Sequence, residues 1–271
     1  MPYAQYKFSN ELTSSMFKSS SPSFFWEKFH GKKDLYRSIF ISKKYLSIIR
    51  VFFAIYFAFS LLLMILTTQN PWTFLQLSRW SFLVQAVYFI HAARRSLNGR
   101  SFISQAEDQA DWKLIHILYE VSFSFQLSNF VYYIWNLCFA ENGFGASKLD
   151  FFVEVQVHIV SFIIIWCDQL FNLIRLYLRH IWLIVLIGAV NLGWNSLLSY
   201  TIGSFVYGEI NFGIKESILV GILFIVLPTV HFILGYYHYE YKHKARNYKI
   251  KLLKEHLVSL KKVHDGGFRQ H

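Results

Sequence analysis

Long apolar runs alternate with short polar segments along most of the chain. Six of these runs each approach the roughly 20 residues that a helix needs to cross about 30 Å of hydrocarbon. Because lipid offers the backbone no hydrogen-bond partners, runs of this kind must be helical. The predicted spans are Tyr45–Leu66, Trp72–Ala92, Leu114–Phe139, Phe151–Phe171, Ile181–Phe205 and Ile218–Tyr237. The pattern therefore predicts an all-α polytopic membrane protein with six transmembrane helices.

The positions of Lys and Arg predict the orientation of these spans. Of the 27 Lys and Arg residues, 24 lie in the N-terminal segment, in the two loops that follow the second and fourth spans, and in the C-terminal tail. This count includes Arg50, just inside the first span, whereas the opposite loops hold only Lys148 and Lys215. By the positive-inside rule, both termini lie on the cytoplasmic or mitochondrial matrix side. The predicted regions are a polar basic tail over 1–44, a six-helix domain over 45–237, and a basic amphipathic helix and tail over 238–271.

Composition agrees with a membrane protein and limits the partners. Hydrophobic residues make up 54% of the chain and charged residues 16%, against about 25% charged in soluble domains. The net charge of +11 follows from topology, so no nucleic-acid partner is expected. The basic tails are expected to contact anionic lipid headgroups or other membrane-protein subunits. A cleavable signal peptide is not expected, because the first apolar run starts beyond residue 40 and no small-residue cleavage site follows it.

Two polar segments frame the predicted bundle. Residues 94–111, RRSLNGRSFISQAEDQAD, are predicted to form a loop with a turn at Asn98-Gly99. After the sixth span, a basic helix is predicted to continue to Asp265-Gly266-Gly267. Apolar residues recur on one of its faces at three- and four-residue spacing: Ile250, Leu253, Leu257 and Leu260. That face predicts docking on the membrane or on a partner, and a solvated face is an equal alternative.

Ionisable side chains at membrane depth are costly and are candidates for function. At about 1.5 Å of rise per residue, Ser78 and Arg79 lie roughly 9–10 Å inside the second span. His158 lies roughly 10 Å inside the fourth span by the same rise. Glu154 precedes His158 by four residues, so both share one helical face. A hydroxyl, a guanidinium, a carboxylate and an imidazole thus meet at one level of the outer leaflet.

This outer layer contains the groups that nucleophilic catalysis requires. Ser78 is a candidate nucleophile toward an ester carbonyl, and His158 is the candidate base. Arg79 is placed to stabilise developing negative charge, and Glu154 is placed to orient the imidazole. The alternative is structural: Ser78 bonds its own helix backbone, while His158 and Glu154 bond neighbouring helices.

A second polar layer lies near the opposite side of the predicted membrane. Its ionisable members are His91, His116, Glu120, Asp168 and His231. Imidazole is a common metal ligand, so a haem or metal site is one interpretation of this layer. Haem, however, needs two facing histidines at one level. Hydrogen bonds between helices are therefore the favoured interpretation, and neither a cofactor nor a metal is predicted. Asp168 lies about 15 Å along the helix from His158 and cannot orient that ring. Cys138 and Cys167 lie near opposite ends of neighbouring spans, so no disulfide is expected.

Four segments, in this order, resemble a known family. They are SRWSFLVQAVYF (Ser78–Phe89), WKLIHILYEVSFSFQLSNFVYYIW (Trp112–Trp135), VHIVSFIIIWCDQLFN (Val157–Asn172) and SYTIGSFVYGEINF (Ser199–Phe212). Over roughly residues 45–237 the chain resembles the androgen-induced-gene family of six-helix membrane proteins and the related Rolling-stone-like proteins. Members of the first branch hydrolyse fatty-acid esters of hydroxy fatty acids, using a threonine and a histidine. The resemblance implies that Ser78 takes the threonine position and His158 the histidine position, with Asp168 as the acidic residue ten positions later.

Two functions are therefore expected as alternatives. One is hydrolysis of a fatty-acid ester by Ser78 and His158, with the lipid entering laterally from the bilayer. The other is a non-catalytic accessory subunit of a larger membrane assembly. Either protein would reside in an endomembrane or in the mitochondrial inner membrane.

Overall fold

Six helices form almost all of the described structure. The computed structural model describes residues 38, 40–68, 76–97, 105–139, 148–202 and 221–267, and within these ranges it contains no β-strand. The helices are α1 (Lys43–Thr67), α2 (Leu77–Leu97), α3 (Gln105–Phe139), α4 (Lys148–Phe171), α5 (Ile181–Ile202) and α6 (Leu227–Gly267). The predicted all-α class is confirmed for these residues. Nearly all of the predicted N-terminal tail lies outside them.

Within the described residues, four stretches are long and apolar enough to cross a membrane, and the chain is therefore a membrane protein. They are Lys43–Thr67, Lys148–Phe171, Leu178–Leu197 and Ile222–Val258. The other two helices, α2 and α3, are less apolar because they carry the polar side chains of the bundle interior. Gln85, Glu120 and Gln126, for example, are all 0% exposed. Hydropathy along the chain cannot distinguish such inward-facing residues from residues that face lipid.

The prediction of a loop over residues 94–111 is wrong for most of these residues, which are helical. Helix α2 continues to Leu97, and α3 begins at Gln105, nine residues before the predicted span. Gln, Ala and Glu are good helix formers, so the polarity of this segment ends the apolar span without ending the helix. Arg95 forms an ion pair with Asp111 across the two helix ends. The predicted turn at Asn98-Gly99 lies outside the described residues.

Helix α4 contains one wide turn. Residues Gln156–Val160 form a π-helix turn between the α-helical segments Lys148–Val155 and Ser161–Phe171. Single π turns within α-helices are rare and occur frequently at functional sites. The Ser161 hydroxyl donates to the Val157 carbonyl in this turn. His158 lies in the middle of the turn.

Helix α6 is continuous, so the boundary predicted at residue 238 falls inside it. A π turn, Ile222–Val226, precedes it, and it ends at Gly267 as predicted. Lys242 donates to the backbone carbonyls of Gln169 and, at 2.8 Å, of Asn172, which attaches α6 to the end of α4. Beyond this attachment most side chains are exposed up to Val258, including Leu257 at 64%. Leu260 lies outside the residues whose side chains the structure describes.

Helix α5 packs tightly against the π turn that precedes α6. A Cβ atom added at Gly188 would lie 2.2 Å from the carbonyl oxygen of Phe224. At Gly193, in the same helix, an added Cβ would meet nothing within 4 Å. Only at Gly188, of these two positions, does the packing require glycine. The two cysteines are unpaired, as predicted.

Candidate functional site

Arg79, Glu154 and His158 form one connected polar group in the bundle. Arg79, on α2, forms an ion pair with Glu154 Oε1 on α4. The other oxygen, Glu154 Oε2, lies 3.1 Å from His158 Nε2. His158 Nδ1 lies 3.0 Å from the backbone carbonyl oxygen of Asn129 on α3. The group thus links three helices, and the Arg79 and His158 residues are only 6% and 1% exposed.

These contacts restrict the protonation state of the His158 ring. A carbonyl oxygen only accepts hydrogen bonds, so Nδ1 must carry its hydrogen and donate it to Asn129. The hydrogen between Nε2 and Glu154 belongs either to the ring or to the carboxyl group. The Tyr133 ring stacks on the imidazole with a 5.0 Å centroid separation and an interplanar angle of 14°. In this conformation Nε2 of the imidazole therefore points toward Glu154.

Ser78 directly precedes Arg79 in α2 and has an unused hydroxyl. It is 2% exposed, and among the described residues its Oγ has no hydrogen-bond partner. Several other helical serines donate to the carbonyl four residues earlier: Ser122, Ser124, Ser161 and Ser196. Ser78, at the second position of α2, makes no such bond, and it is not bonded to His158 either. Its hydroxyl is therefore uncommitted in this conformation.

Further buried donors near these residues lack partners in the described structure. Arg79 Nε and Nη1 make no hydrogen bond, although Nη2 pairs with Glu154. The side-chain amide nitrogen of Asn129 is also unpaired. Leaving a buried donor unpaired costs about 1–3 kcal/mol. A ligand that brings acceptor oxygens, such as an ester or a carboxylate, would satisfy these donors.

Between this group and the far end of α4 lies a closed amide network. Gln126 Nε2 donates to Gln85 Oε1 at 2.6 Å and to Ser81 Oγ at 3.2 Å. Ser161 Oγ lies 3.1 Å from Gln126 Oε1, and Gln85 Nε2 donates to the Ser161 carbonyl at 2.9 Å. These residues bond one another across α2, α3 and α4. We assign them a structural role, which sequence analysis missed because amides carry no charge that would mark them.

Asp168 belongs to a separate cluster. Its carboxylate accepts from Arg50 Nε at 3.1 Å, from Tyr88 Oη at 2.5 Å and from Asn172 Nδ2 at 2.8 Å. Arg50 and Asp168 are both 0% exposed. Asp168 therefore makes no contact that would orient His158, in agreement with its predicted position along α4. Arg50, counted above among the basic residues of the inner surface, is instead buried. Its predicted depth in the first span matches that of Asp168, and this match could have indicated the ion pair.

The other ionisable residues of the predicted inner layer lie in three separate places. His116 Nε2 lies 3.1 Å from Glu120 Oε1, and His180 Nδ1 lies 2.5 Å from Glu120 Oε2. His180 was missed in the sequence because it lies in the connection before α5. His231 is separate: its Nδ1 lies 3.3 Å from the Ser124 carbonyl, and its ring stacks on Phe123. His91 is half-buried.

A surface cavity of about 630 Å³ lies at the other end of α2. It is lined by Lys43, Lys44, Ser47, Ile48, Val51, Ser96 and Leu97. Ser96 follows Ser78 by 18 residues, which is about 27 Å along the helix. The cavity therefore belongs to a different level of the bundle from the Ser78–His158 group.

Comparison with known proteins finds no matching family model, no matching curated protein and no matching solved structure.

Proposed function

We propose that this chain is an intramembrane hydrolase of fatty-acid esters, with Ser78 as nucleophile and His158 as base. The observation that carries the proposal is the unpaired, buried Ser78 hydroxyl next to Arg79, whose guanidinium has two unpaired nitrogens. The π turn that contains His158 supports it. So does the resemblance of residues 78–89 and 157–172 to the corresponding segments of the androgen-induced-gene family.

The contacts suggest how each side chain would act. The bond from Nδ1 to the Asn129 carbonyl selects the neutral tautomer in which Nε2 is basic. When an ester enters, the imidazole breaks its contact with Glu154 and leaves the shared hydrogen on that carboxyl group. Nε2 then turns to Ser78 and accepts the hydroxyl proton as Oγ attacks the carbonyl carbon. The free N–H groups of Arg79 hold the oxyanion, while its third nitrogen, Nη2, stays hydrogen-bonded to Glu154. His158 then protonates the departing alkoxide, and water releases the fatty acid from Ser78.

A fluorophosphonate probe, which reacts with activated serines, tests this proposal. We expect the wild-type protein in membranes to be labelled, and the variants Ser78→Ala and His158→Ala to lose labelling by at least a hundredfold, since removing a base or nucleophile costs at least this factor. Ser196→Ala is the matched control, because Ser196 is a helical serine bonded to its own backbone. Labelling that persists in both site variants would contradict the catalytic assignment.

A non-catalytic accessory subunit is the second candidate. Two observations favour it: both nitrogens of His158 are already engaged within the bundle, and the basic end of α6 exposes Leu253 and Leu257 at 55% and 64%. Native electrophoresis of the same gently solubilised membranes separates the candidates. Migration only within a large complex, without probe labelling, would favour the subunit, in the mitochondrial inner membrane or an endomembrane. Migration near the monomer mass, with labelling, would favour the enzyme.

We also propose that all six helices cross the membrane and that both termini lie on the same, positively charged side. Helix α2, with 21 residues, and α3, with 35, exceed the length required, and their polar side chains face other helices. Peptide tags added at the two ends should be digested by protease from the same face of sealed vesicles. Protection of one tag and digestion of the other would imply an odd number of crossings.

A further inference from the structure

His116, Glu120 and His180 bring three metal-binding side chains to one buried point. The spacing of four residues puts His116 and Glu120 on one face of α3, and the short 3-10 turn Leu178–His180 brings the second imidazole to them. One ligand atom from each side chain lies within 4.8 Å of the others. All three residues are at most 5% exposed. The group is distinct from Ser78 and His158, and the proposed hydrolysis does not use it.

The three side chains form a ligand set that zinc commonly takes. Two imidazoles and one carboxylate, with a fourth position for water, make a four-coordinate site with Zn–N and Zn–O distances of about 2.0–2.2 Å. Neighbouring ligand atoms in such a tetrahedron are roughly 3.4 Å apart. The two imidazoles contact different oxygens of Glu120, with 3.1 Å from His116 Nε2 to Oε1 and 2.5 Å from His180 Nδ1 to Oε2. Because one ligand atom from each side chain lies within 4.8 Å of the others, shifts of about 1–2 Å would bring the three to tetrahedral spacing.

The surroundings hold the ligands in place. The Tyr177 backbone N–H donates to Glu120 Oε1 at 3.0 Å. The Tyr177 ring packs against both imidazoles, with centroid separations of 5.2 Å to His116 and 5.4 Å to His180. Contacts of this type orient metal ligands and are worth about 10–100-fold in affinity. The chain therefore supplies ligands and supports together.

We propose that His116, Glu120 and His180 bind one Zn²⁺ ion, which joins α3 to the connection that precedes α5. In the metal-free form, both rings donate hydrogen to the Glu120 carboxylate. To bind the ion, Nε2 of His116 and Nδ1 of His180 must each present a lone pair. A neutral ring does this by carrying its hydrogen on the other nitrogen, and a ring protonated on both nitrogens does it by releasing one proton. The same three side chains thus serve as a hydrogen-bonded clasp without the ion and as a coordination site with it.

The test uses the full-length protein, purified in mild detergent with a tag that contains no histidine. After treatment with chelator and dialysis against Zn²⁺, we expect about one zinc per chain by mass spectrometry of the metal. Loading with Co²⁺ instead should give the visible absorption of a tetrahedral site. His180→Ala should reduce bound zinc at least tenfold. His231→Ala removes another buried histidine, whose described contacts are the Ser124 carbonyl and the Phe123 ring, and it should leave the zinc content unchanged.

Two results would overturn the proposal. One is a wild-type protein that retains no more zinc than His180→Ala, which would show a hydrogen-bonded clasp only. The other is wild-type protein loaded with Co²⁺ that lacks the tetrahedral absorption, and this result decides the matter even where the alanine variant fails to fold. Glu120→Gln, which keeps the side-chain size and an acceptor oxygen, provides a second ligand variant, and it too should lose zinc.

Discussion

Arg50→Ala is expected to destabilise the folded protein by about 3–5 kcal/mol, the cost of leaving one member of a buried ion pair without its partner. Both side chains are fully buried, and the guanidinium is the direct ionic partner of Asp168, with Nε 3.1 Å from Oδ1 and Nη2 3.5 Å from Oδ2. Without Arg50, the carboxylate keeps hydrogen bonds from Tyr88 and Asn172 but loses its paired cation. Lys242 does not replace it, because its ammonium group is bonded to backbone carbonyls.

Unfolding in mixed micelles with a rising fraction of denaturing detergent measures this cost. The double variant Arg50→Met/Asp168→Leu should recover most of the lost stability, since an apolar pair of similar volume leaves no buried charge. Lys251→Ala is the control, because it removes a cation from an exposed ion pair. The side chains of Lys251 and Glu255 are 75% and 60% exposed, so this variant should change the free energy of unfolding very little. A loss below about 1 kcal/mol for Arg50→Ala would mean that the buried pair does not hold α1 against α4.

Gly188→Ala is expected to destabilise the bundle by about 1–3 kcal/mol, the typical cost of overpacking a close contact. The added methyl group would lie 2.2 Å from a backbone carbonyl oxygen, that of Phe224. Backbone cannot rotate away as a side chain can, so α5 and the turn Ile222–Val226 must separate. The same micelle titration, or the midpoint of thermal unfolding, reports the loss.

Gly193→Ala is the matched control for this substitution. It lies in the same helix, and its added methyl group meets nothing within 4 Å. Alanine favours a helix over glycine by about 1 kcal/mol, so this variant should be as stable as the wild type or slightly more so. A Gly188→Ala variant that is as stable as Gly193→Ala would show that the contact with Phe224 does not limit stability here.

The sequence predicted the helical class and the composition of the layers better than it predicted the contacts. Depth along each span was enough to place Arg79, Glu154 and His158 at one level, where the structure connects them. The ion pair of Arg50 was not predictable in this way, because depth does not tell which direction a side chain takes around its helix axis. His180 lies just before the predicted span Ile181–Phe205 and outside every apolar run. Its approach to Glu120 therefore depends on how the chain folds back before α5. The predicted helix ends at residues 94–111 differ from the structure, because polar residues indicate where the chain leaves the lipid and do not indicate where backbone hydrogen bonding ends.

The unbroken course of α6 has a mechanical consequence. Its 41 residues correspond to about 60 Å of rigid rod, and Lys242 clamps that rod to the last turn of α4. The exposed end is therefore a rigid extension of the bundle attached at Lys242, and not a flexible linker. A partner seated on Leu253 and Leu257 would take a fixed direction relative to the bundle. Tilting it would pull on the same turn of α4 that holds Asp168.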